Sequence, residues 1–261
     1  MSASFSVAAL ISAGRHRVSG APRSCRGDAV AMALGRSLVG DALRVVHAGA
    51  EQEPSLQDYL ALGAKNIEVL PINPNGDVVA VLAAYLKDVD IILTGVRAEL
   101  GAGSGLLPYA LAQALERPIV SNVLEAKVAN SAASGADVEI RQFLPKGQRR
   151  RVSCGLPLVI AVHPLSSVEL KYAYARRLSG RIVAISPSPA IAQAVHSSWT
   201  VEKVPRRPVR LKALDKKSGH ARLLSAIVSE TKGGVVAFEG TTVDKAQVML
   251  NYLREHRLVD F

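Results

Sequence analysis

Residues 94 to 115, "TGVRAELGAGSGLLPYALAQAL", hold the residue types best suited to chemistry in this chain. Gly101, Gly103 and Gly105 stand at alternate positions between the apolar run "DIILTG" and an alanine- and leucine-rich helical pattern. Glycine lets a backbone take positive φ and approach a ligand closely. The first N–H groups of the helix that follows have no partner within it, and its positive dipole end favours an anion. Arg97 precedes the glycines as a counter-charge, Ala102 lies between them, and Ser104 brings a hydroxyl donor. The chemistry on offer is the cradling of a phosphate. A plain turn is the alternative, because the segment departs from the GxGxxG fingerprint and lacks the lysine of a Walker A loop.

Other chemistry has less to stand on. The six histidines are dispersed, and His47 and His163 each end an apolar strand, where a satisfied polar group is a simpler reading than a ligand. Glu99 and Asp90, near the loop, could act as acid or base, but holding the turn is the simpler reading. The two cysteines, Cys25 and Cys154, form no CxxC and join no histidine cluster, so neither a zinc site nor a disulfide scaffold is expected, and a reducing cytoplasm fits. No nucleophile–base arrangement is visible; no catalytic residue and no metal ligand is assigned.

The elements that must position the loop alternate in type. "FSVAALIS", "ALRVVHAG", "NIEVLPI" and "DIILTG" read as strands. Between them lie helical patterns: "DAVAMALGRSL" with Asp28 able to cap its start, "SLQDYLALGA" with Ser55 as N-cap and Gly63 as stop, and "GDVVAVLAAYLKDV" led by Asp77. The helix after the loop is expected to start near Gly105. Such alternation predicts βαβ units and a parallel sheet covered on both faces. After "RPIVSNV", the segments "LEAKVANS", "ADVEIRQFLP" and "QRRRVSCG" alternate with period two, which predicts an antiparallel excursion. "LPLVIAVHP" returns to a buried strand, "SVELKYAYARRLSG" is a short amphipathic segment, and "RIVAIS" is expected as a last core strand. The fold class is therefore α/β, with a Rossmann-like parallel sheet, helices on both faces, an antiparallel excursion, and an extended C-terminal arm ending in the helix "TTVDKAQVMLNYLREHRLV". Residues 1–190 form the core; 191–261, rich in proline and basic residues at first, form an arm and helix that need another surface to lie on.

The formal net charge is +10, and only 4% of residues are aromatic. Basic residues come in scattered groups such as "GQRRR", "YARRL" and "VPRRPVRLK", without the stacking platforms of single-strand binders. An acidic protein partner is preferred over nucleic acid. No stretch reaches the roughly 18 uninterrupted apolar residues that a membrane span needs, and the N-terminus reads as a first strand, Ser6 to Ser12, not a signal peptide.

In its ordered motifs the chain resembles the β subunit of an electron-transfer flavoprotein. The resemblance runs through "FSVAALIS", "SCRGDAVAMALGRSL", "LRVVHAGAEQEPSLQDYLALGAKNIEVL", "VDIILTGVRAELGAGSGLLPYALAQALERPIVSNV", "GLPLVIAVHP" followed by "KYA", and the C-terminal "KGGVVAFEGTTVDKAQVMLNYLREHRLV". It implies a heterodimer with an α subunit that holds the redox FAD, a dehydrogenase as electron donor, and a quinone oxidoreductase or other acceptor. It also implies a nucleotide against Leu10 and Ser12 at the first strand end, Ser24, Cys25 and Arg26 before the first helix, Ala48 after the second strand, and Arg97 with Gly101, Ala102, Gly103, Ser104 and Gly105 in the loop. That nucleotide is AMP, or a second FAD in electron-bifurcating members. The family loop is usually longer and carries acidic and amide side chains; here Ala98 and Gly105 match and Ser104 stands for threonine, so an empty site is the third possibility. Partner docking falls on Tyr172, Tyr174, Arg176 and Arg177; this chain has "YARR" after "KYA", where the family's docking leucine is missing. A stand-alone adenine-nucleotide module of the universal-stress type is the alternative reading, against which the long C-terminal arm argues.

Overall fold

The computed structural model describes residues 5–16, 18–73, 76–101, 103–131, 135–185, 218–220, 223, 239–255 and 258–259. The chain divides into two compact units, Met1–Ser198 and Trp199–Phe261.

The first unit is built on β1 (Val7–Ile11), whose five residues are all buried. Val7, Ala9 and Ile11 pack into one apolar cluster with α1 (Arg26–Val39) and α2 (Leu56–Leu62), while Ala8 and Leu10 join a second with α3 (Val78–Leu86) and α4 (Leu107–Ala114). A strand buried on both faces needs a continuous apolar run, which is why "VAALI" shows no alternation. The same holds for β6 (Ile91–Gly95) and β10 (Leu158–Val162). Completing the parallel part are β4 (Arg44–Gly49), β5 (Asn66–Pro71), β7 (Ile119–Ser131) and β11 (Arg181–Ala184). The sheet order is β11-β5-β4-β1-β6-β10-β7-β8-β9, with β8 (Gly135–Phe143) and β9 (Arg149–Gly155) antiparallel. From β1 the chain moves outward through β4 to β5 and then crosses to β6 on the other side of β1. The strand order therefore reverses at β1, and a ligand crevice belongs beyond the carboxyl ends there.

Several local expectations are corrected. α1 starts at Arg26 with Cys25 in extended backbone at its N-cap, so Asp28 lies inside the first turn and does not cap it. Ser55 occupies the N-cap of α2, but its side chain makes no capping bond; Gly63 does end that helix, with φ 119°. Asp77 caps α3 by accepting the Ala80 N–H at 2.9 Å. "RPIVSNV" and "LEAKVANS" are one strand, β7, whose register shifts between Val123 and Glu125. Lying between the two, β7 pairs in parallel with β10 along one edge and antiparallel with β8 along the other. "RIVAIS" forms not a core strand but the edge strand β11, whose residues are exposed apart from half-buried Ile182. A short hairpin, β2 (Ala13–Arg15) with β3 (Pro22–Ser24), precedes α1 and had no counterpart in the sequence reading.

In the second unit the helix Thr242–Glu255 is capped reciprocally. Thr241 donates from N and Oγ1 to the Asp244 carboxylate, and the Asp244 N–H returns to Thr241 Oγ1. Most of the basic, proline-bearing arm lies outside the described residues.

Candidate functional site

Beyond the carboxyl ends of β1, β4 and β6 the structure opens a cavity of about 440 Å³. That volume lies within the range of small-molecule and cofactor sites, roughly 300–1,000 Å³. One wall is apolar: Leu10, Val46 and Ala48 from the strand ends, Val78 and Leu82 from α3, Leu107 and Pro108 from α4. The rim is polar, formed by Ser12, His47, Glu53, Arg97 and the glycine loop.

The loop after β6 has the backbone that its glycines permit. Gly101, Gly103 and Gly105 take φ of 72°, 53° and 75°. A Cβ on Gly105 would lie 3.0 Å from the Val96 carbonyl, and one on Gly103 would lie 3.4 Å from the Ala98 carbonyl and 3.7 Å from the Arg97 guanidinium. Ser104 Oγ accepts the Leu106 N–H at 3.2 Å, leaving its own proton free to donate. α4 begins at Leu107, two residues later than expected, with Pro108 in its first turn.

The floor of the cavity is fixed by a buried polar network. The Asp28 carboxylate accepts the Ser12 N–H at 2.9 Å, the Ser12 hydroxyl, and the Gly95 N–H at 3.2 Å. It thereby ties the ends of β1 and β6 to the first turn of α1. Tyr59 of α2 accepts the Cys25 N–H at 2.8 Å and donates to the Ser12 carbonyl at 2.7 Å. Burial pushes the Asp28 pKa up to about 6, against the downward pull of its hydrogen bonds from Ser12. Burial, with Asp28 nearby, also raises the Cys25 thiol to about 11, which makes it an inert thiol. Arg23 pairs with Glu99 at 2.8 Å, so the β2–β3 hairpin braces the glycine loop. Asp90 lies at the opposite end of β6, where it accepts the Ser6 N–H at 2.7 Å; it is not near the loop.

Leu10, Ser12, Ala48, Arg97, Gly101, Gly103, Ser104 and Gly105 therefore converge on one cavity. Ser24, Cys25 and Arg26 do not line it: Cys25 is buried beneath, and the Ser24 N–H is bonded to Asp58 at 3.1 Å. Ala102 lies outside the described residues. Asp28, His47, Glu53 and Thr94 line the cavity and were missed as site residues. A carboxylate in the first turn of a helix or a histidine ending a strand is ordinary until the strand order shows what it faces. Thr94, inside β6, gave no signal.

Away from the cavity, Tyr172, Tyr174, Arg176 and Arg177 gather around the short helix α5 (Tyr174–Ser179), with both tyrosines more than half exposed. The Arg177 guanidinium lies 5.9 Å from the centre of the Tyr174 ring. The segment is anchored on α2 through the Ala173 N–H to the Ala61 carbonyl, 2.9 Å. His163 stacks on Phe143 at 4.3 Å, with Arg149 on the same Phe143 ring. Among the described residues no group of three His, Cys, Asp or Glu is placed to hold a metal, and no helix is long and apolar enough to cross a membrane.

Compared with known proteins, residues 26–190 match the electron transfer flavoprotein domain. The chain is also 31% identical, over 99% of its own length and 97% of the relative's, to "Electron transfer flavoprotein subunit beta" of Chromohalobacter salexigens.

Proposed function

The chain belongs to the electron-transfer flavoprotein β-subunit family, and from that premise we propose that it is the β half of a heterodimer whose α subunit holds the redox FAD. In that role it scaffolds the flavin, helps to accept electrons from a dehydrogenase, and helps to pass them to a quinone-linked or other acceptor. It works as a carrier subunit in a reducing cytoplasm, a reading supported by its two free cysteines.

The observation that carries the reading of the site is the crevice itself. Three positive-φ glycines with Arg97 flank an apolar slot at the point where strand order reverses. This residue set fits AMP, or the AMP half of FAD. The slot formed by Leu10, Val46 and Leu82 suits a flat base, and the loop N–H groups, the Ser104 hydroxyl and Arg97 suit a phosphate. A flavin, where one is bound, supplies the redox chemistry; this chain's residues bind, orient and exclude water. Docking of the donor falls on Tyr172, Tyr174, Arg176 and Arg177, where exposed rings and two guanidinium groups suit an acidic surface. Residues 191–261 pack on the α subunit, in keeping with the exposed Val243, Met249 and Tyr252 on the terminal helix.

Denaturing the purified heterodimer and separating its released nucleotides by chromatography tests the site. One FAD and one AMP per heterodimer is the expected yield, and two FAD identifies an electron-bifurcating member. One FAD with no second nucleotide reduces the glycine loop to a turn.

A further inference from the structure

The β4 side of the cavity offers hydrogen-bond acceptors, unlike the glycine loop opposite. His47 is the third residue from the end of β4 and is 4% exposed. Its Nδ1 lies 3.0 Å from the Ile11 carbonyl oxygen. A carbonyl oxygen only accepts, so Nδ1 carries the ring proton and Nε2 is left as a lone pair. Nε2 has no hydrogen-bond partner among the described residues. Burial lowers the ring's pKa, which keeps it neutral.

Gly49 keeps the space beside this lone pair open. A Cβ there would lie 2.7 Å from Nε2 and 3.2 Å from Cε1. The backbone at Gly49 is not left-handed, so the ring's clearance, not conformation, is what calls for glycine. Glu53, a second acceptor on this rim, takes the Ser55 N–H at 3.2 Å and faces Arg15 at 3.7 Å. A lone pair and a carboxylate repel phosphate and suit a hydroxyl donor. The cavity thus runs from acceptors at β4 to donors at the loop before α4, the polarity of a nucleotide with its sugar at β4 and its phosphate at the loop. Dinucleotide-binding sheets likewise hold a ribose hydroxyl on an acceptor side chain beyond the glycine turn.

We propose that His47 Nε2 accepts a hydrogen bond from a ribose hydroxyl of the nucleotide in this cavity, and that Gly49 is there to admit that hydroxyl. The inference rests on the AMP reading above and assigns the orientation of the nucleotide within it.

The test uses the full-length chain in complex with its α subunit, freed of exchangeable nucleotide, with AMP, 2′-deoxy-AMP and 3′-deoxy-AMP titrated by calorimetry. One neutral hydrogen bond corresponds to about a tenfold change in affinity. The wild type should bind one of the deoxy nucleotides about tenfold more weakly than AMP. His47→Asn can keep the N–H to Ile11 while losing the acceptor, and should bind AMP about tenfold more weakly without discriminating against that analogue. Gly49→Ala should show the same loss through a methyl group set against Nε2, whereas His47→Gln, with an acceptor at the same reach, should recover part of it. Wild-type affinity and discrimination in His47→Asn overturn the assignment, as does a wild type that binds all three nucleotides equally. A wild type that binds none of them overturns the AMP reading and this inference together.

Discussion

At the scale of single residues, Asp28 carries an electrostatic consequence for stability. Its carboxylate is almost fully buried and holds three donors from two strand ends. Burial nevertheless outweighs those bonds and lifts its pKa from 3.8 to about 6. Because the folded value lies above the unfolded one, folding favours the protonated form. The stability linked to it is complete below about pH 4 and is lost as pH rises through 6. A shift of that size corresponds to about 3 kcal/mol between the two ends of the window. Urea unfolding of wild type and Asp28→Asn between pH 4 and 8 should therefore move in the variant's favour by about that amount. Parallel pH profiles for the two proteins would show that Asp28 does not titrate there.

The element with most at stake is the loop from β6 to α4. Gly103 takes φ 53°, and a Cβ would stand 3.4–3.7 Å from Ala98 and Arg97, so a side chain meets both backbone strain and the guanidinium. Left-handed backbone costs a non-glycine residue about 1–3 kcal/mol, and a β-branched one fares worst. Gly103→Val should release AMP from the heterodimer and lower its melting temperature, while FAD in the α subunit stays reducible by dithionite. Retention of stoichiometric AMP by the variant would remove the loop from the binding site. A different element accounts for one of the basic runs. Arg149, Arg150 and Arg151 lie along β9, the outer edge of the sheet, and all three are exposed. Charge on an edge strand discourages pairing with another chain, a structural use that requires no nucleic acid.

For the whole molecule, the division into Met1–Ser198 and Trp199–Phe261 bears on partnership. The first unit contains both apolar clusters and every strand of the nine-stranded sheet. The helix Thr242–Glu255 has no buried residue and exposes Val243 and Met249 at 71% and 69%, an apolar surface that we propose the α subunit covers. A chain ending before Val201 should fold, with far-ultraviolet circular dichroism and cooperative melting close to those of the full chain, yet fail to co-elute with the α subunit. Co-elution of that shortened chain with its flavin-bearing partner would place the interface elsewhere.

The sequence by itself determined the layer architecture. Continuous apolar runs such as Val7–Ile11 and Ile91–Gly95 can be satisfied only by burial on both faces, and Asp77 and Gly63 mark helix ends through bonds made within a few residues. The glycine loop was legible for the same reason, since positive φ at Gly101, Gly103 and Gly105 is a local property. Only the tertiary structure decided what those local features face. Asp28 reads as a helix cap until β1 and β6 bring Ser12 and Gly95 to its oxygens, 16 and 67 residues away in sequence. "RIVAIS" reads as core until strand order puts β11 at an edge, and His47 reads as a satisfied polar group until the Ile11 carbonyl is seen to take Nδ1 and the residue to line the cavity. Periodicity reports which face of an element is apolar; strand order, set by packing between distant segments, decides which elements become neighbours.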